Sequence, residues 1–173
     1  VLHAARGGHV EVLNVLLFAG ANTRHANMEG TTALLEACQC GHLEAVRFLV
    51  EQTRYPDVGR TDVAGRGALI CAASKGHAAV VEYLVSEKNA RQRQRSREGF
   101  TALHCAALAG RTEVARYLLD FCPEPEQETK DGSTALLLAA SKGRLETARM
   151  LLFERGANLH HRNAAGRSAL DVA

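Results

Sequence analysis

Apolar positions along the chain fall into two kinds of run that alternate. One is short and built from small residues, as at 102–109, where Ala102, Ala106, Ala107 and Ala109 accompany Leu103 and Leu108. The other carries larger apolar side chains three and four residues apart, as in Val114, Tyr117, Leu118 and Phe121, which places them on one face of a helix. An apolar doublet closes each second run: Leu16-Leu17, Leu49-Val50, Leu84-Val85, Leu118-Leu119 and Leu151-Leu152. A glycine separates the two runs (Gly8, Gly41, Gly76, Gly110, Gly143), and a polar connector follows each doublet. The pattern predicts a short helix, a break, a second helix and a connector, over and over.

A further glycine opens each unit. Gly30-Thr31-Thr32-Ala33-Leu34 returns as Gly65-Arg66-Gly67-Ala68-Leu69 and Gly99-Phe100-Thr101-Ala102-Leu103, then as Gly132-Ser133-Thr134-Ala135-Leu136 and Gly166-Arg167-Ser168-Ala169-Leu170. These first glycines lie 35, 34, 33 and 34 residues apart. Thr32, Thr101, Thr134 and Ser168 stand where a helix begins, so their hydroxyls can cap its open N–H groups. Gly67 takes that place in one unit and weakens the cap. Gly110 and its equivalents end the first helix by accepting the left-handed conformation. Neither helix of one unit can bury its apolar face alone, so the units must stack.

At this point the chain resembles a known family. Gly99-Phe100-Thr101-Ala102-Leu103-His104-Cys105-Ala106-Ala107-Leu108-Ala109-Gly110 is similar to the ankyrin signature G-x-T-P-L-H-x-A-A-x-x-G. Gly41-His42-Leu43-Glu44-Ala45-Val46 resembles its G-H-x-E-V-V element, and Gly20-Ala21-Asn22 and Gly156-Ala157-Asn158 resemble its G-A-D/N turn. Alanine replaces proline in every T-P-L-H element, and of the full units one keeps the histidine, His104. The resemblance implies an all-α repeat solenoid, helix-turn-helix plus β-hairpin or loop, with about four full repeats and partial repeats at both ends. It divides a single domain, 1–173, at 1–27, 28–61, 62–96, 97–129, 130–163 and 164–173.

Composition narrows the class. Hydrophobic residues make up 46% and charged residues 23%, which suits a folded chain. A formal charge of +2 gives no reason to expect nucleic acid or an anionic membrane as partner. No apolar run approaches the roughly 20 residues that span a bilayer. Five cysteines, an odd number with no CxxC pair, argue against a disulfide framework or a metal site. The expected compartment is therefore intracellular, cytoplasmic or nuclear. No GxxxxGK[ST], GxSxG or HExxH is present, and Glu44, Glu113 and Glu146 share one repeat position. We therefore expect no enzyme, no catalytic residue, no cofactor and no metal. His9, His42 and His77 recur at the repeat period, as structural hydrogen-bonding residues would, and Cys71 and Cys105 occupy equivalent small core positions.

One charge pattern admits two readings. Arg91, Arg93 and Arg95 precede Gly99 by the same distances at which Glu124, Glu126 and Glu128 precede Gly132. Either these rows pair across adjacent connectors, or the arginines face an acidic ligand.

The resemblance also implies where a partner sits: on the hairpin tips and the exposed side of the first helices, along a concave groove. Carried onto this sequence, those positions are Met28, Glu29, Thr31, Gln39, Arg66, Ser74, Lys75, Arg97, Phe100, Leu108, Lys130, Ser133 and Lys142. Phe100 is the sharpest candidate, since its equivalents Thr31, Arg66, Ser133 and Arg167 show that the repeat does not require an aromatic there. It either anchors a partner or lies on a neighbouring hairpin. The expected function is non-catalytic protein binding by an isolated monomer, the partner being a protein or peptide of some acidic character. The alternative is a rigid spacer within a larger multidomain protein. By the same resemblance Asn22 and Asn158 are candidate sites of asparagine hydroxylation.

Overall fold

The computed structural model describes residues 1–52, 58–87 and 94–173. Two compact units account for them: Val1–Ala72 with His77–Arg91, and Ala73–Gly76 with Gln92–Ala173.

In the first unit the helices run in pairs: α1 (Leu2–Arg6) with α2 (Val10–Phe18), and α3 (Ala33–Cys40) with α4 (Leu43–Glu51). Helix α5 (Ala68–Lys75), which belongs to this unit as far as Ala72, and α6 (Ala78–Glu82) follow, and α6 ends in a π-helical turn, Tyr83–Glu87. First helices stack on first helices (α1 on α3) and second on second (α2 on α4, α4 on α6). The same rule orders the second unit. There α7 (Ala102–Ala109) packs on its partner α8 (Thr112–Phe121) and on α9 (Ala135–Ser141). Helix α9 in turn packs on α10 (Leu145–Arg149) and on α11 (Ala169–Val172). Helix α10 also ends in a π-helical turn, Met150–Glu154.

The two kinds of run explain the packing. Alanine on the first helices lets backbones approach: Ala37, Ala72, Ala106 and Ala139 are fully buried. The larger residues of the second helices fill the space behind them, with Val46, Leu84, Leu119 and Leu151 at most 1% exposed. Removing such a leucine side chain costs roughly 2–5 kcal/mol. The doublets are buried at Leu49-Val50, Leu84-Val85 and Leu118-Leu119, while Leu16, Leu17 and Leu152 are half-buried.

Local chemistry sets the ends of the first helices. Thr32, Thr101 and Thr134 hold extended backbone, and their hydroxyls accept from the N–H three residues on (Leu35, His104, Leu137). At Ser168 the Asp171 carboxylate closes the cap, accepting from the Ser168 N–H and hydroxyl at 2.8 and 2.7 Å. After α3 the chain turns through left-handed Gly41 (φ 78°). A Cβ there would stand 2.4 Å from Nδ1 of His77, and one on Gly8 would stand 2.6 Å from Nδ1 of His42. These glycines are thus fixed twice, by their own conformation and by the next repeat's side chain above them.

The connectors form tight turns rather than extended hairpins. Among the described residues there is no strand, only the isolated bridge between Thr61 and Gly67.

Candidate functional site

Five turns of one design make the tips. Each opens three residues before the first glycine, at Asn27, Asp62, Ser96, Thr129 and Asn163. The carbonyl there accepts from the glycine N–H at 2.8–3.0 Å, and its N–H donates to the residue after the glycine. The side chain adds a second layer. Asn27 Oδ1 accepts from the N–H groups of Glu29 and Thr31 at 3.0 and 2.9 Å, and Asp62 Oδ1 from those of Ala64 and Arg66 at 2.9 and 2.8 Å. Asn163 Oδ1 serves Ala165 and Arg167 in the same way. The Ser96 and Thr129 hydroxyls accept from Phe100 and Ser133, both at 3.1 Å. Short polar side chains that hold their own turn are the reason for these residue types. The sequence expectations passed over this column, although it was there to be read.

Successive tips are tied by main-chain bonds. Val63 N–H donates to Glu29 O at 2.9 Å in the first unit; Lys130 to Glu98 at 3.1 Å and Ala164 to Asp131 at 2.9 Å in the second. The tips approach so closely that a Cβ on Gly99 would lie 2.8 Å from the Lys130 nitrogen. Within each unit a ladder of backbone bonds therefore presents the side chains two places before, one place before and one place after the glycine.

Of the positions expected to meet a partner, Met28, Glu29, Arg66, Lys75, Arg97, Lys130 and Lys142 are exposed, and Gln39, Ser74, Phe100 and Leu108 are half-buried. Thr31 and Ser133 are each 2% exposed and present no side chain to a partner. Both follow the glycine, where a short side chain turns inward; Ser133 Oγ donates to Asp131 Oδ2 at 2.9 Å and accepts from Asn163 Nδ2 at 3.4 Å. Arg66, at the same place, is long enough to emerge, but its Nε donates to Asp62 at 2.7 Å and much of its charge is answered locally. The Phe100 ring lies edge-on to His104 of its own repeat, centroids 6.1 Å apart.

A family model described as ankyrin repeats (3 copies) matches residues 1–96 and 86–163. The chain belongs to the ankyrin-repeat family. It is 40% identical over 101 residues to mouse ankyrin repeat domain-containing protein 63, covering 57% of this chain and 25% of that protein. It is 33% identical over 148 residues to a probable E3 ubiquitin-protein ligase, XBOS32, of Oryza sativa subsp. japonica, covering 68% and 29%. Mouse protein fem-1 homolog A-like matches at 35% over 107 residues, 62% of this chain and 16% of the relative. The chain thus spans less than a third of each of these relatives. Ankyrin repeats are generally protein-interaction modules and are typically non-catalytic. No helix among the described residues is long and apolar enough to cross a membrane.

The ankyrin histidines bond the helix end of the preceding repeat: His42 Nε2 meets Arg6 O and His77 Nε2 meets Gln39 O, both at 2.9 Å. Arg144 does the same with Leu108 O at 3.2 Å, so arginine can replace histidine in this role. His104, fully buried, takes its tautomer from its neighbours. The Thr101 N–H donates to Nδ1 at 3.2 Å, leaving Nε2–H to donate to Gln127 O at 2.8 Å. Burial holds this imidazole below its usual range, and hence neutral. Cys38 and Cys71 are buried thiols pushed up by desolvation, while Cys40, Cys105 and Cys122 are half-buried. Asn22 and Asn158 are exposed, and each Oδ1 caps its own turn, accepting from Arg24 and His160.

Of the paired rows, Arg91 and Arg93 lie outside the described residues. Arg95 reaches the expected neighbour, but its Nη1 donates to the Glu128 main-chain carbonyl rather than to the carboxylate. Glu126 accepts from the Asn158 N–H at 2.7 Å, Glu128 lies 3.7 Å from His161 Nε2, and Glu124 accepts from Gln127 at 2.6 Å.

Proposed function

We propose that the chain binds a partner protein or peptide through its tips and the adjoining side of its first helices. The contrast between a fixed ladder and variable exposed side chains carries this reading. Turn residues and glycines repeat, whereas the exposed position two places before the glycine changes from Met28 and Val63 to Arg97 and Lys130. The main-chain ladder needs none of these four side chains. In the second unit the exposed Arg97, Lys130, Lys142 and Arg167 outnumber the exposed Glu98 and Asp131 of the same turns, with Phe100 and Leu108 half-buried beside them, which suits a partner segment with acidic character. The isolated chain would act as a monomer.

Affinity capture tests this with an Arg97→Glu/Lys130→Glu variant beside a Glu113→Arg/Glu146→Arg variant, which changes exposed residues of the second helices. Partners lost with the first and kept with the second support the reading. Equal retention by both moves the site to the convex face or the ends, and capture of no partner at all favours a spacer.

A further inference from the structure

The arginine run ahead of the third tip ends on a hydroxyl. Arg91, Arg93 and Arg95 stand five, three and one residues before Ser96, and Arg97 follows it. Ser96 is one of two hydroxyl residues in the turn-opening column. The other, Thr129, is preceded at the same three distances by Glu124, Glu126 and Glu128. Residues 94–96 run in neither helix nor turn as they approach the tip.

The two hydroxyls are differently committed. Thr129 is 6% exposed, and its Oγ1 donates to the Ser133 carbonyl and accepts from the Ser133 N–H, both at 3.1 Å. Ser96 is half-buried. Its Oγ accepts from the Phe100 N–H at 3.1 Å and, among the described residues, donates to nothing. The column also accommodates an anion. In the equivalent turn Asp62 Oδ1 takes the N–H groups of Ala64 and Arg66, and Oδ2 takes Arg66 Nε at 2.7 Å. Cations flank Ser96 on both sides. Arg95 Nη1 is held on the Gly99 carbonyl of the same turn at 3.2 Å, and Arg97 is exposed with no ion-pair partner among the described residues. Against them the turn carries one carboxylate, the exposed Glu98.

We propose that Ser96 is a phosphorylation site for a protein kinase that recognises arginines ahead of its serine, and that the phosphate offsets the positive charge of this tip. The Ser96 oxygen attacks the γ-phosphorus of ATP. The new O–P bond forms as the bond to the β–γ bridging oxygen breaks, ADP leaves, and the hydroxyl proton passes to the kinase's carboxylate base. The arginines select this serine as charge patterns select kinase substrates, and the glutamates ahead of Thr129 select against it. The product carries about −1.5 to −2 charges and three acceptor oxygens, which Arg95 and Arg97 pair. An acidic partner then meets a tip whose cations are already answered. That consequence rests on the tip-binding reading, whereas the acceptor assignment stands on the turn itself.

The test treats the folded 173-residue chain with magnesium, ATP and the catalytic domain of a kinase of that specificity, and maps phosphate by tandem mass spectrometry. Phosphate on Ser96 is expected, with Thr129 unmodified. Ser96→Asn, which copies the Asn27 and Asn163 turns and so keeps the fold, should lose it. Arg93→Gln should slow the transfer about tenfold or more, as loss of a hydrogen bond to a charged group does. Modification elsewhere with Ser96 untouched, or an unchanged rate in Arg93→Gln, overturns the assignment. Partners captured by the unmodified chain should bind the phosphorylated chain about tenfold more weakly or worse. Equal binding to both forms overturns the charge effect and leaves the tip-binding reading in place. If the unmodified chain captures nothing, the charge effect falls with the tip-binding reading, and the phosphate map alone decides the acceptor.

Discussion

Replacing Gly41 by alanine applies two separable loads to one position. Gly41 holds a left-handed backbone at φ 78°, which costs an L residue roughly 1–2 kcal/mol. The new Cβ would also stand 2.4 Å from His77 Nδ1, so the ring must move and release its 2.9 Å bond to Gln39 O. A hydrogen bond of that kind contributes roughly 0.5–1.5 kcal/mol net. Together the variant should lose about 1.5–3.5 kcal/mol. Gly143 is the internal control: same register, φ 62°, but nothing within 4 Å of its Cβ site. Gly143→Ala should therefore lose only about 1–2 kcal/mol. Urea unfolding followed by far-ultraviolet circular dichroism measures both, and Gly41→Ala in a His77→Ala background should fall back toward the control. Equal losses at Gly41 and Gly143 would refute the claim that the overlying histidine makes the glycine obligatory.

Further predictions follow from single contacts. Asp62→Ala removes the acceptor of two main-chain N–H groups and of Arg66, and should cost about 1–3 kcal/mol in a urea titration; Asp62→Asn, which copies the Asn163 turn, should cost clearly less. Thr101→Ala should destabilise by about 1 kcal/mol through loss of the α7 cap, read as a lowered unfolding midpoint. His104 is held below its ordinary value of 6.5, so its stabilising contribution is complete above that pH and is lost as pH falls toward the lower folded value. Stability measured between pH 7.5 and 5.5 should accordingly fall more steeply for the native chain than for His104→Gln, and parallel slopes would count against a neutral buried imidazole. Leu119→Ala should cost roughly 2–5 kcal/mol in the same assay, since the side chain is 1% exposed.

The fold was legible because its signals are short-range and repeat in register. Each cap at Thr32, Thr101 and Thr134 depends on one hydroxyl and a helix start. Each break depends on a glycine whose conformation other residues resist. Exposure at the tips was less legible. Thr31 and Arg66 occupy the same turn position, yet one is buried and the other emerges, because side-chain length decides whether the group clears the turn. Variation in residue type at that position does not distinguish the two cases. Arg95 shows a second limit: spacing placed it against the Glu128 connector, but whether it meets the main-chain or the side-chain oxygen there is a three-dimensional question. The turn-holding column from Asn27 to Asn163 was readable from sequence, since a short polar side chain three residues before a glycine carries its own physical reason.

Site-specific photocrosslinking tests the central claim most directly. A benzophenone side chain is placed in turn at Met28, Arg97 and Lys130 on the tips and at Glu113 and Glu146 on the second helices, all of them exposed. The account predicts partner adducts from the tip positions and none from the helix positions. Adducts confined to Glu113 and Glu146 would contradict it.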